Sequence, residues 1–451
     1  MTTAEGGTSP EANGNGVPEA NGNGVPEANG NGVPEANGNG VPEARTSVRK
    51  PRSAKSSAGS AADSAAAATD QQLPTQKMPA QARRRRVGDR PVGVRLKTIA
   101  VTGAAGVLGQ ALTGLLRDDA EVGKVIAIDL HRGDVEGVTW RIGDVTDPLL
   151  GKRLSGVDAI VHLALDWSLE HDDKTRTALN VRGTQTVVTA AAAAGVRHVV
   201  LVTSAQVYGA QADNDVPLAE TAPLQAAPEG ILADLLEIER LAVDARRVHR
   251  GLAVTVVRPA ALVGRGVDTF MTRHFAAPRL LCVRDARPLW QFLHVDDLAT
   301  ALQLVALGRV DRDGVPPLAV TAGADGWLEQ SEVETISGRK RVEVPASLAF
   351  ATAERLHRVG VTPAPASELS FVVHPWVIDS ARLHQAGWIA AHDNIACLRL
   401  VLEEVSGDHT LVGRRIGLRD ASVAGATAAG ATAAVLGAAA LVRRARRARG
   451  Y

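Results

Sequence analysis

The sequence predicts an α/β protein: a Rossmann-type doubly wound parallel sheet over residues 95–263, followed by a smaller C-terminal lobe over residues 264–406. Three observations carry this expectation. Short apolar runs alternate with helical patterns, a glycine-rich turn joins the first strand to the first helix, and the chain outside residues 95–406 is too simple in composition to build a core.

The first strand and helix lie in "RLKTIAVTGAAGVLGQALTGLLRD". The run "TIAVT" enters Gly103-Ala104-Ala105-Gly106-Val107-Leu108-Gly109, and Leu112, Leu115 and Leu116 then repeat with a helical period. In that order Gly103 permits a tight turn, Gly106 lets backbone approach a pyrophosphate, and Gly109 allows close packing of helix on strand. The helix N-terminus then faces the phosphates. A second strand, "KVIAIDL", ends at Asp129, about 20 residues past the glycines, where a carboxylate can accept hydrogen bonds from ribose hydroxyls. That favours NAD, while His131 and Arg132 directly after it keep NADP open through a 2'-phosphate. Further strands are expected in "GVTWRIGDVTD", "DAIVHLAL", "HVVLVTSAQVYG" and "AVTVVRPAALVG", with the helix "NVRGTQTVVTAAAAAGV" starting after Asn180. Strands alternating with helices imply a parallel sheet covered on both faces.

The ends read differently. Residues 1–94 hold "SPEANGNG", three copies of "VPEANGNG" and a basic Ala/Ser-rich stretch ending in Arg83 to Arg86, a composition expected to be disordered. Residues 407–451 read as a linker and an Ala/Gly-rich tail with a basic end. The uncharged run 421–442 is long enough to span a bilayer but weakly apolar. A cytoplasmic nucleotide domain and the cytoplasmic preference of "RRARRAR" conflict with a single span, so contact with a membrane surface or a protein, or plain disorder, is the expectation. The net charge of +1 gives no bulk attraction for nucleic acid, and none is expected as a partner. Cys282 and Cys397 have no metal-type spacing; no metal is expected, and a reducing cytoplasm fits.

The motifs "TGAAGVLG", "GDVTD", "VHLA", "NVRGT", "VTSAQVYG", "VRPAALVGRG", "LWQFLHVDDLATAL" and "VIDSARLHQAGW" follow one another in this chain. In that order the sequence resembles the extended short-chain dehydrogenases/reductases, the group containing NAD-dependent epimerases and dehydratases of nucleotide sugars. The resemblance implies an NAD or NADP cofactor held by Gly103, Ala105, Gly106, Val107, Leu108, Gly109 and Asp129. It places Asp144 and Val145 at the adenine, Leu163 and Ala164 along the phosphate and ribose path, and Arg258 and Pro259 at the nicotinamide border. Ser204 matches the residue that hydrogen-bonds the reacting oxygen, and Tyr208 a structural or substrate-lining tyrosine. Asn180 is expected to cap a helix, and His294, Asp296 and Asp297 to make inter-domain hydrogen bonds. The lobe's Arg265, Arg273, Arg279, Arg284 and Arg287 fit either an anionic small-molecule substrate or a solvated surface.

One part of the pattern is missing. The family's Tyr-x-x-x-Lys pair shares a helix face, and its lysine lowers the phenol pKa. Here the matching segment is "EGILADLLE", with Glu229 and Ala233 at the two positions, and the only tyrosines are Tyr208 and Tyr451. Three readings follow: a divergent oxidoreductase or epimerase in which Glu229 acts as acid or base, one whose proton donor is Ser204, His162 or water, or a dinucleotide-binding sensor or scaffold without turnover.

Overall fold

The computed structural model describes residues 95–167, 172–277, 279–359 and 364–412. The expectations for residues 1–94 and for the tail beyond 412 lie outside the described residues.

The chain runs β1 (Lys97–Thr102), α1 (Val107–Arg117), β2 (Val122–Asp129), β3 (Thr139–Ile142), a 3-10 turn (Pro148–Leu154), β4 (Ala159–His162) and α2 (Asp173–Thr177). A π-turn (Ala178–Gly183) leads into α3 (Thr184–Ala193), β5 (His198–Val202), a 3-10 turn (Ala205–Tyr208), α4 (Gly230–Val248) and β6 (Ala253–Pro259). Beyond these come β7 (Ala261–Val263), α5 (Phe270–Ala276), β8 (Leu280–Val283), β9 (Leu289–Trp290), β10 (Phe292–His294), α6 (Val295–Ala306) and β11 (Ala319–Ala322). The last elements are β12 (Leu328–Glu329), α7 (Gln330–Ser337), β13 (Arg341–Val344), α8 (Ala346–Arg358), a 3-10 turn (Ala366–Val372), α9 (Ala381–Gln385) and α10 (Asn394–Val412).

Seven strands form one sheet in the order β11-β6-β5-β4-β1-β2-β3, every neighbouring pair parallel. The doubly wound α/β fold is therefore present. Its strands read as near-continuous apolar runs because both faces are covered: Ile99, Ala100 and Val101 in β1, and Val199 to Leu201 in β5, are fully buried. On α1 the buried residues Gly109, Leu112, Thr113 and Leu116 form one stripe at helical spacing, and the helix packs against α6. Strand order reverses between β1 and β4, where the connections diverge and leave a crevice at the C-terminal strand ends.

The division expected at 263/264 is crossed in space. Strand β11 and helix α6, both from the C-terminal portion, complete the sheet layer. The chain near 377–380 is then fastened to it. Gly323 N donates to Ser380 Oγ at 2.9 Å, Thr321 Oγ1 donates to the Asp379 carbonyl, and Leu218 N donates to Val377 O at 2.8 Å. Asp297 on α6 accepts from Ala391 N, His392 N and His392 Nδ1 at 2.9–3.0 Å, bonds that stay within residues 264–406 and so do not bridge the two expected domains. His294 instead acts locally: its ring Nδ1 accepts from Asp296 N and caps α6. Helix α10 continues through Val412, past the expected 406/407 boundary.

Candidate active site

The glycine turn is built so that only glycine fits at two of its positions. Gly103 has φ +67°, and a Cβ there would stand 2.7 Å from the Ala164 nitrogen and the Leu163 carbonyl carbon. A Cβ on Gly109 would stand 2.1 Å from the Gly103 carbonyl oxygen. Gly106 is the N-cap residue of α1 and offers no side chain to the first-turn amides, which stay available to a ligand. Asp129 closes the turn from the end of β2: Oδ2 accepts from Ala105 N at 2.9 Å and Oδ1 from Leu130 N at 2.7 Å. Oδ1 also accepts a longer bond from His131 N at 3.5 Å, which leaves a free lone pair on Oδ2.

A cavity of about 550 Å³ opens from this turn. Gly103, Gly106, Val107, Leu108 and Gly109 line it, as do Pro259 and Leu163, the latter next to Gly103. Ser204 lines it too; its Oγ accepts from Gln206 N at 3.2 Å and caps the 205–208 turn. The remaining wall is largely apolar and includes Trp167, Ile231, Phe270, Met271 and Trp376. This is the mix of an apolar wall with a few convergent polar groups that marks a small-molecule site. Ala164 adjoins the turn through its backbone. Val145 is buried against Gly183, and exposed Asp144 accepts from Thr146 N at 2.8 Å; neither borders the cavity.

Four expectations are corrected by the structure. Arg258 does not face the cofactor border. Its guanidinium is buried and donates to both Glu239 oxygens at 2.9 and 2.8 Å, to Tyr208 Oη at 2.8 Å and to the Glu220 carbonyl at 2.9 Å. Burial opposes the charge, but the hydrogen bonds and field of Glu239 outweigh it and raise the pKa. Its neighbour Pro259 keeps the cavity position because the strand alternates sides there. Tyr208 is structural, locked in this network.

Glu229, the residue aligned with the tyrosine, is exposed at the start of α4 and accepts from Ser367 Oγ at 2.7 Å. As the N-cap residue it stands at the outer end of the helix, and it does not line the cavity. His162 is sealed between Thr102 Oγ1 (2.7 Å) and Thr184 Oγ1 (3.1 Å), and burial lowers its pKa to about 4. It is a neutral structural histidine. Asn180 lies inside the π-turn rather than capping a helix; it clamps the Asp166 backbone (2.7 and 3.0 Å) and reaches Asp234 at 3.2 Å. Of the lobe arginines, Arg265, Arg279, Arg284 and Arg287 are exposed and Arg273 is buried, paired with Asp268.

The residue missed from sequence is Glu368. It sits on the 366–372 turn, is 3 % exposed, lines the cavity, and its Oε2 has no hydrogen-bond partner among the described residues. Burial raises its pKa from 4.5 to about 7, opposed by the charges of Arg176 and Arg273. A carboxyl raised in the folded state favours the neutral form. Its contribution is present at low pH and is lost as pH rises from about 4.5 through about 7. Relative to wild type, Glu368→Gln is therefore expected to gain stability between pH 4 and pH 8, by about 3 kcal/mol, as read by denaturant unfolding at both pH values.

With this geometry established, the chain compares clearly with known proteins. The profile of the NAD dependent epimerase/dehydratase family matches residues 99–316. An uncharacterised protein of Mycobacterium tuberculosis is 30% identical over 304 residues, 64% of this chain and 78% of that protein. A dTDP-glucose 4,6-dehydratase of Streptomyces griseus is 27% identical over 285 residues, covering 53% of this chain and 83% of the relative. Among solved structures, MoeE5 in complex with UDP-glucuronic acid and NAD superposes with a TM-score of 0.53 at 23% identity, over 69% of this chain and 99% of that one. A UDP-glucose-4-epimerase from Stenotrophomonas maltophila with bound NAD and formylated UDP-arabinopyranose gives 0.53 at 20%, over 70% and 99%. At these identities the two structures establish the shared fold. The chain belongs to the NAD dependent epimerase/dehydratase family.

Proposed function

We propose that this protein binds a nicotinamide dinucleotide along its glycine turn and acts as a divergent oxidoreductase or epimerase on a nucleotide sugar or a related small molecule. The observation that carries this reading is the turn itself, where a Cβ at Gly103 or Gly109 would fill the cradle and Asp129 closes it from the end of β2. The residues present fit the group. The amides opening α1 would hold the pyrophosphate, Asp129 the adenosine ribose, and Leu163 and Pro259 the path toward Ser204. When bound, the dinucleotide supplies a two-electron acceptor and donor for a carbon-bound hydrogen.

The chain's own contributions are orientation and exclusion of water. Ser204, which accepts from Gln206 N at 3.2 Å and donates to Gln206 Oε1 at 3.4 Å, would turn its hydroxyl from that long bond to a ligand oxygen, and the apolar wall would strengthen the new bond by lowering the local dielectric. The names of the related proteins support a nucleotide-sugar substrate class. Calorimetric titration of the full chain is expected to show NAD binding more tightly than NADP, because Asp129 repels a 2'-phosphate; absence of heat with both would overturn the reading. The alternative, a dinucleotide-binding sensor or scaffold, draws support from Ala233, which supplies no cation where the family has lysine. NAD binding without turnover on any nucleotide sugar is the result that would favour it.

A further inference from the structure

The helix that should carry the tyrosine offers none, yet an ionisable group stands at its first turn. The 3-10 turn Ala366–Val372 packs onto the N-terminus of α4, so that a Cβ built on Gly230 would lie 3.2 Å from the Pro365 ring and 3.8 Å from Glu368 Oε1. Ile231, the next residue of α4, lines the cavity together with Glu368 and Ser204. Glu368 is the one carboxylate among the described residues that both lines this cavity and has a fully buried oxygen without a hydrogen-bond partner. A buried polar atom left open in a folded protein is explained by a water, an ion, a ligand or a catalytic role; Arg273 Nη1, whose charge acts on Glu368, is open as well.

We propose that Glu368 is the proton-transferring group of this cavity, taking the proton from a hydroxyl of the bound small molecule and returning it in the reverse direction. The proposal rests on the dinucleotide-binding reading above. In the forward step the ligand O–H bond breaks, its electron pair stays on the ligand oxygen, and a new O–H bond forms on the Glu368 carboxylate. No electron is exchanged in that step. A phenol needs its pKa lowered to serve near neutrality, which is the lysine's task in the family, whereas a carboxyl needs its pKa raised. Burial does this without a cation, which accounts for the tolerance of Ala233. The charged groups facing Glu368 are Arg176, held by Asp173 and Asp234, and Arg273, held by Asp268; their pairing limits how far they pull its pKa back down. Asp166 and Asp268 also line the cavity.

The test uses the full chain as wild type, Glu368→Gln and Glu229→Gln, each checked for folding by circular dichroism and titrated calorimetrically with NAD. Infrared difference spectra are expected to show a protonated carboxyl band in the wild type that disappears on titration near neutral pH and is missing from Glu368→Gln. With NAD and a panel of nucleoside diphosphate sugars, Glu368→Gln is expected to lower kcat by at least about 100-fold with KM changed by less than about threefold. It should also remove the break near neutrality in the wild-type pH profile, while Glu229→Gln stays within about twofold of wild type. Intact NAD binding with an unchanged kcat in Glu368→Gln, with no titrating band, or with no wild-type turnover across the panel overturns the role of Glu368 alone. Loss of NAD binding in the wild type overturns the cofactor reading and this proposal with it.

Discussion

Replacing Arg258 by Ala is expected to destabilise the protein by about 3–5 kcal/mol, measured as the change in urea-unfolding free energy at neutral pH. The magnitude comes from what is left behind. Glu239 is 4 % exposed and would remain as a buried carboxylate with only Thr203 Oγ1, at 2.8 Å, to balance it. Tyr208 Oη and the Glu220 carbonyl would lose the same donor. Because a buried pair costs desolvation on both sides, removing both charges should be far milder than removing one. The double variant Arg258→Met with Glu239→Leu is expected to recover most of the loss, and failure to recover would mean that the network acts through geometry and not charge. The network ties β6 to α4 and to the turn bearing Ser204, so the single variant should also weaken ligand binding.

Gly109→Ala is expected to weaken NAD binding by about 10- to 100-fold and to destabilise the fold by about 1–3 kcal/mol. The added Cβ meets backbone, 2.1 Å from the Gly103 carbonyl oxygen and 2.7 Å from Ala104 Cα, and backbone cannot swing aside as a long side chain can. The N-terminus of α1 must therefore lift from the turn. Gly114→Ala on the same helix is the contrast: nothing lies within 4 Å of its Cβ position, so it should stabilise by about 0.5–1 kcal/mol and leave NAD affinity unchanged. Titration calorimetry with both variants checks the pair.

What could be read from sequence follows the range of the interactions involved. The turn from Gly103 to Gly109 and the distance to Asp129 are local facts of one β-α-β unit, and the structure assembles them as expected. The motif at Arg258 fixes a backbone position beside the site, while the direction of the side chain depends on Glu239, a partner on another element. Glu229 illustrates the converse: alignment places it correctly at the start of α4, but the helix end turns it outward to Ser367. Glu368 carries no motif. Its burial is created by packing of a turn more than a hundred residues downstream, and a single glutamate in "ASELSFV" gives no local sign of that. Signals that depend on tertiary burial are silent in a linear reading.

The late return of β11 has a consequence for how the chain acquires its structure. Until residues 319–322 arrive, β6 presents an open row of amide and carbonyl groups along the side of a nearly complete sheet. During vectorial synthesis that edge waits for the excursion through residues 264–318 to emerge, and the strap near Asp379 and Ser380 secures it only later still. Closure of the nucleotide-binding layer is thus a long-range event, and the interval before it is the stage at which a second nascent copy could pair with the same strand.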